Sequence, residues 1–203
     1  MKHLGLALGI AGLLVSASSE AADPGVGTVA IGGSLAASAT VYDGNVAGNS
    51  TGTSLTALPT MDVLVGRGWS LGVALPIVWQ KWKSESDLGP TARYESTFVQ
   101  PGLQVGYFIP IGEYAALWPV ARGSYGFGST HQDNGNGTSA DSSSRILEAS
   151  LTPQVLVLPT RSFFLRFSPG ALSYRHQRWE GQAGTVGMLG ISPFFFMGVG
   201  VML

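Results

Sequence analysis

Pro193-Phe194-Phe195-Phe196-Met197-Gly198-Val199-Gly200-Val201-Met202-Leu203 is written on a period of two. Successive side chains of an extended strand point to opposite sides, so Pro193, Phe195, Met197, Val199, Val201 and Leu203 share one face, and Ser192, Gly198 and Gly200 share the other. The alternation runs back to about Thr28. Odd positions of each strand-like stretch are apolar or small, while even positions collect Ser, Thr, Gln and Gly together with Asp62, Arg122, Glu148 and Arg166. A sheet in water would turn its apolar face inward, leaving those four charges no interior to explain their parity. The pattern predicts the opposite arrangement: apolar side chains outward against lipid, polar ones inward.

The beginning of the chain fits that location. Lys2 and His3 precede an apolar run from Leu4 to Val15, and small residues follow from Ser16 to Ala22 before Asp23-Pro24. Charge, length and cleavage chemistry are those of a secretory signal peptide over 1–22, with Ala21 or Ala22 the last residue removed. The run is shorter than the ~20 residues a spanning helix requires. The remaining segment, 23–203, has the length of one domain.

Charged residues make up 11% of the chain and Gly contributes 29 residues, a composition of strands and turns with little charged surface. No other segment has the length of a membrane helix, so insertion must use strands. The net charge of −1 gives no footprint for nucleic acid. With no Cys there is neither a disulfide nor a thiolate metal site.

Eight strands are expected: roughly Thr28 to Tyr42, Leu55 to Val65, Trp69 to Trp82, Arg93 to Phe108, Ala115 to Ser129, Arg145 to Leu158, Phe163 to His176 and Val186 to Leu203. Short turns fall at Gly66-Arg67-Gly68, Pro110-Ile111-Gly112-Glu113 and Pro159-Thr160-Arg161-Ser162. Long polar connections fall at Asp43 to Ser54, Ser84 to Ala92, Thr130 to Ser144 and Arg178 to Thr185, the third expected to be mobile. Pro59, Pro76, Pro101, Pro119, Pro153, Pro169 and Pro193 lie inside strands, where each removes a ladder donor and should mark a bulge or an opening in the pairing. Recurrent Pro and Gly exclude long helices.

Aromatic residues gather at both ends of these strands, as the interfaces of a membrane barrel require. Trp69, Tyr107, Tyr114 and Phe163 lie beside short turns. Tyr42, Trp79, Trp82, Tyr94, Tyr125, Phe127, Tyr174 and Trp179 lie towards long loops. An even strand number puts both termini on the periplasmic side and the long loops outside.

Two stretches carry a resemblance: Gln100-Pro101-Gly102-Leu103-Gln104-Val105-Gly106-Tyr107-Phe108, a Pro-x-x-x-x-Gly-Tyr-Phe strand ending at a short turn, and the alternating C-terminal strand. With these the chain resembles the bacterial outer-membrane β-barrel domain family, the small eight-stranded barrels of OmpA, OmpX and OmpW type. The resemblance implies an up-and-down antiparallel barrel in the outer membrane. It also implies lipid as surroundings and recognition of the C-terminal strand by the barrel-assembly machinery. The chain departs from the family in ending on Leu203 in place of an aromatic residue.

The interior charges are expected to form two stacked ion pairs, Arg122 with Glu148 and Asp62 with Arg166, supplemented by Gln100, Gln104 and Gln154. A lone buried charge would cost several kcal/mol, so pairing should plug a lumen that eight strands leave barely wide enough for side chains. His131, near Ser129 and Asp133, and His176 lack a nucleophile context, so no catalytic residue is assigned. Asp133, Asn134, Asn136 and Asp141 lack the spacing of a calcium loop, and no metal or cofactor is expected. The expected function is structural or surface-interaction work by a monomer: envelope integrity, adhesion or loop-mediated recognition. Alternatives are a narrow channel or facilitator for small or hydrophobic solutes, a lipid-modifying esterase or acyltransferase, and a soluble lipocalin-like carrier.

Overall fold

The fold is taken from a computed structural model, which describes residues 25–44, 48–85, 91–112, 114–160, 162–180, 185–192 and 196–203. The expected signal peptide and Pro193 lie outside these residues. The described chain is all-β, in fifteen segments. They are β1 (Val29–Gly44), β2 (Gly48–Gly66), β3 (Trp69–Ala74), β4 (Ile77–Glu85), β5 (Ala92–Val99), β6 (Gly102–Tyr107), β7 (Ile109–Pro110) and β8 (Ala115–Leu117). There follow β9 (Val120–Asp133), β10 (Ser139–Thr152), β11 (Val155–Thr160), β12 (Phe163–Ser168), β13 (Ala171–Trp179), β14 (Thr185–Ser192) and β15 (Phe196–Met202).

All ladders are antiparallel, and at the end carrying the short turns they run right round. β1 pairs with β2 on one side and β15 on the other; β15 pairs β12, β12 pairs β11 and β11 pairs β8. The chain passes directly from β8 into β9, and β9, β6, β3 and β2 complete the circuit. Val29 and Leu203 exchange backbone hydrogen bonds of 3.0 and 2.9 Å, so first and last strands are fastened at their ends. A line of register partners from Ala30 through Asp62, Gly72, Gln104, Arg122, Ser150 and Ser173 ends at Gly190, whereas Ala30 itself pairs with Met202. That stagger is the signature of strands tilted against the axis of a closing sheet.

Proline opens the ladders without breaking the circuit. Segment boundaries fall at Pro76, Pro101, Pro119, Pro153 and Pro169, whereas Pro59 lies inside β2. The prolines donate nothing, but their carbonyls still accept: Leu75 donates to Pro59, Gln100 to Pro76, Tyr125 to Pro101 and Tyr107 to Pro119, at 2.9–3.1 Å. Across Pro76, Pro101, Pro119 and Pro153 the register with the preceding strand continues unshifted.

Pro169-Gly170 is different. β11 pairs with β12 as Val155 with Phe167, yet β10 pairs with β13 as Leu151 with Leu172, one residue out of step. The extra residue is a bulge, with Gly170 at φ 142°. Beyond it the parity inverts. Leu172 and Tyr174, at even positions, face outward, and Arg175 and Gln177 face inward. The expectation that odd positions face outward throughout therefore fails for β13.

The polar connections also differ from expectation. β1 and β2 pair as far as Gly44 with Gly48, and β9 and β10 as far as Asp133 with Ser139, so two of the expected long loops are mostly hairpin strand. Polarity on both faces reports exposure to water, not absence of pairing. The turn between β9 and β10 is closed by Gly135 N–H donating to Asp133 Oδ1 (2.9 Å) and Thr138 N–H to Asn136 Oδ1 (3.1 Å), with Gly135 and Gly137 at positive φ.

Glycines clear space for aromatic rings on the interior face. Gly52, Gly128 and Gly200 are the register partners of Trp82, Phe98 and Phe164, and each ring lies over its glycine. A Cβ on Gly200 would meet Phe164 Cζ at 2.2 Å and the Ile31 carbonyl at 2.6 Å; one on outward-facing Gly123 would meet nothing within 4 Å. Gly200→Ala should therefore destabilise the folded protein by about 1–3 kcal/mol, while Gly123→Ala changes it little. Urea unfolding midpoints of the two variants in micelles check this.

Candidate functional site

The inward-facing positions of the ladders build the interior in three levels. Nearest the short turns it is apolar: Trp118, Leu156 and Phe164 are almost wholly buried, with Ala116, Phe108 and Met202 around them. Trp118 and Phe164 meet edge to face at 6.4 Å, and Trp118 Nε1–H donates to Ser70 Oγ (3.0 Å). This apolar floor was not foreseen, although Trp118 and Phe164 have the inward parity.

Above it lie Asp62 and Arg166. Gly72 stands between Asp62 and Gln104 in register, and its missing side chain lets Gln104 Nε2–H reach Asp62 Oδ2 at 2.7 Å. A Cβ on Gly72 would fall 2.2 Å from Asp62 Oδ1. Arg166 donates through Nη1 to Thr60 Oγ1 at 3.3 Å. The two charges sense one another electrostatically, but no ion pair within 4.0 Å joins them, and Asp62 Oδ1 and Arg166 Nη2 have no protein partner. The expected contact pair is replaced by two neighbouring charges held by different polar side chains.

The third level centres on Glu148. Arg122 approaches it at 3.8 Å, and Arg175 binds it more closely, with Nη2 at 2.8 Å and Nε at 2.9 Å from Oε2. Arg175 faces its register partner Glu148 because of the bulge at Gly170, which is why alternation counted straight through the strand missed it. Gln100 donates to Ser124 Oγ at 2.9 Å, and Ser124 to the Glu148 carbonyl at 3.5 Å. Ser150 is buried here, its Oγ lacking a protein partner; Gln154, whose carbonyl accepts from Trp118 N–H at 2.8 Å, is buried nearer the apolar floor, and its Oε1 likewise lacks one.

The outer face carries the aromatic residues. Trp69 and Tyr107 are exposed, directly paired in register and in edge contact at 5.0 Å; Tyr114 is exposed beside the same short turns, and Phe163 is half-buried. Towards the other end Tyr125 and Phe127 are exposed and meet edge to face at 5.2 Å. Trp79 is half-buried, with Nε1–H donating to Glu95 at 3.0 Å. The Tyr42 side chain lies outside the described residues. Trp82 and Trp179 share the inward face in β4 and β13, so neither belongs to the outer set in which proximity to loops had placed it.

The exposed ends of the hairpins carry their own charges. His131 Nδ1 lies 2.6 Å from Asp141, its register partner on β10, and Glu95 is its partner on β5. Hydrogen bonding to Asp141, then its charge, raises the His131 pKa above the ordinary imidazole range. His176 sits on β13 opposite Leu147, well away from this group. Among the described residues no cluster of His, Asp or Glu could hold a metal ion.

No family model matches the chain, and no curated protein matches it. Among solved structures it is similar to Ail, the attachment invasion locus protein of Yersinia pestis, at 15% identity and a TM-score of 0.42, covering 88% of this chain and 99% of that one.

Glu148→Ala should cost about 3 kcal/mol, because the buried Arg122 loses its counter-charge, while Arg175, 42% exposed, is screened by solvent. Exchanging Glu148 and Arg175 together for Leu and Met should cost less than the sum of the single changes, and the Asp62–Arg166 coupling should be the smaller of the two. Double-mutant cycles of urea unfolding measure both. The raised His131 pKa gives a signed pH effect: its contribution to hairpin order is complete below the ordinary imidazole pKa and is lost as pH rises through the raised value. An NMR titration of the His131 ring should show a downward shift of that pKa in Asp141→Asn.

Proposed function

We propose that this chain is an outer-membrane protein whose segments join across their proline breaks into an eight-stranded transmembrane β-barrel, with a leader over 1–22 preceding the barrel domain 23–203. The observation that carries the reading is the sorting of side chains between the two faces. Leu35, Leu55, Leu71, Val73, Leu103 and Leu147 are exposed on the outer face, Leu35 and Leu103 each at 73%, while Asp62, Glu148 and Arg166 are buried within the ring. Water-soluble monomers rarely expose apolar patches above roughly 300–600 Å². A belt of this kind encircling the sheet instead suits hydrocarbon, and rings such as Trp69, Tyr107, Tyr125 and Phe127 at its borders suit the lipid headgroup levels.

On this reading both termini are periplasmic, the C-terminal strand is the segment offered to the assembly machinery, and the hairpins beyond Thr130 and Ser84 project outside. The barrel is a monomeric scaffold. Its apolar floor and the Glu148 cluster plug the lumen, and it performs no catalysis. Its work is surface interaction through the outer ends of the strands, in envelope integrity, adhesion or recognition.

One observation favours the second reading, passage of a small or hydrophobic solute. Among the described residues β14 pairs only with β13, and β1 pairs with β15 only from Ala30 to Ser34, so the outer half of that seam is unzipped. Planar-bilayer recordings distinguish the two: a plugged scaffold gives no reproducible conductance, a facilitator gives conductance that interior substitutions abolish. The barrel reading itself is tested by spin labels in liposomes. Labels at Leu103 and Val199 should be relaxed by dissolved oxygen, and one at Ser96 by a water-soluble nickel reagent; the reverse pattern would overturn the assignment of inside and outside.

A further inference from the structure

The outer part of the interior is built differently from the levels beneath it. Ser54, Gln80, Ser96, Thr130 and Ser142 are register partners in sequence around β2, β4, β5, β9 and β10, all on the inward face and all partly accessible. The adjoining register line on β4, β5, β9 and β10, Lys81, Glu95, His131 and Asp141, points outward and is charged or titratable at each of these four positions. Inward the wall offers only uncharged hydroxyls and amides, and Ser96 Oγ and Thr130 Oγ1 already hydrogen-bond at 2.9 Å.

Aromatic faces interrupt this neutral wall. The indole of Trp82 lies over Gly52, three of its ring atoms being 2.8–2.9 Å from where a glycine Cβ would stand. Tyr94 is the register partner of Trp82, and Phe98 sits one inward position below Ser96. β13, elsewhere on the ring, contributes Trp179, which the Gly170 bulge turns to the inward face, and Gln177, which donates to Ser144 Oγ at 3.5 Å. The Glu148–Arg122–Arg175 group lies further along these strands, and the Arg175 side chain is 42% exposed.

Flat rings combined with adaptable neutral donors and acceptors suit a ligand with apolar faces and a rim of hydroxyls. We infer that the mouth of the ring is a binding site for a neutral oligosaccharide: pyranose rings stack on Trp82 and Trp179, and their hydroxyls bond to Gln80, Ser96 and Thr130. This names a ligand for the surface role proposed above and rests on that reading for the outward orientation of the mouth.

The test is ligand-observed saturation-transfer NMR on protein refolded in zwitterionic micelles free of alkyl glycosides, which would compete. The probes are the neutral N-acetylglucosamine hexamer and the acidic trisaccharide sialyllactose. The neutral hexamer should bind, Trp82→Ala and Trp179→Ala should each weaken it by about tenfold or more, and Trp69→Ala, on the outer face, should leave it unchanged. Should Trp82→Ala fail to fold, Trp82→Phe and Gln80→Leu take its place, with at least a severalfold loss expected. No transfer to the neutral hexamer, or equal binding by the Trp82 and Trp179 variants, would overturn the proposal. So would salt-sensitive binding of sialyllactose alone, which would make Arg175 an anion site. Failure of the barrel reading shows separately, as absence of heat-modifiable mobility and of incorporation into liposomes, neither of which depends on sugar.

Discussion

The structure depends on the ladder between β1 and β15. A sheet has two edges, and each presents a row of unpaired amides and carbonyls that in a medium without water would cost several kcal/mol per group. The five register pairs from Ala30–Met202 to Ser34–Gly198, fastened by the exchange between Val29 and Leu203, join those edges at the end carrying the short turns. Gly32, Gly33, Gly198 and Gly200 populate this seam, and the absence of side chains at Gly32 and Gly200 lets Phe164 lie across it from β12. Closure and interior packing are thus achieved by the same glycines.

Once the ring is closed, the period of two divides the chemistry. On the proposed membrane reading, outward positions are apolar because nothing polar on that face could be satisfied in lipid, and inward positions must then accommodate whatever charge the chain carries. They do so in order of depth: a buried apolar floor, a level where Asp62 and Arg166 are supported by Gln104 and Thr60, and a level where one carboxylate serves two guanidinium groups. Because Gln104 and Thr60 provide hydrogen bonds, the Asp62–Arg166 level holds two charges without direct contact between them.

Much of this was legible in the residues. The strand character of the chain, the apolar outward face and the inward parity of Asp62, Arg122, Glu148 and Arg166 all follow from alternation, which is a local property. The Arg122–Glu148 proximity followed because both residues sit on adjacent strands joined by one hairpin. Arg175 was missed because a bulge shifts phase without altering the pattern on either side: Leu172 and Tyr174 alternate with Ser173 as cleanly as Leu165 and Phe167 alternate with Arg166. The clue was present in the move of apolar residues from odd to even numbers after Gly170. The hairpin from Thr130 to Ser144 was misread for another reason, since both its faces meet water and alternation there carries no signal. Trp82 was assigned outward from its nearness to a loop, although its even position already indicated the interior.

The bulge at Pro169-Gly170 means that this strand is read in two frames. Removing one residue there would turn Tyr174 to the inward face and the Arg175 and Gln177 side chains to the apolar outer face, a rearrangement far costlier than the loss of a single side chain. A compensating insertion could lie only further along the same strand, and the stretch between the two changes would remain inverted. A change of one residue between Phe163 and Gly170 therefore exchanges the faces of the whole stretch from Ala171 to Trp179.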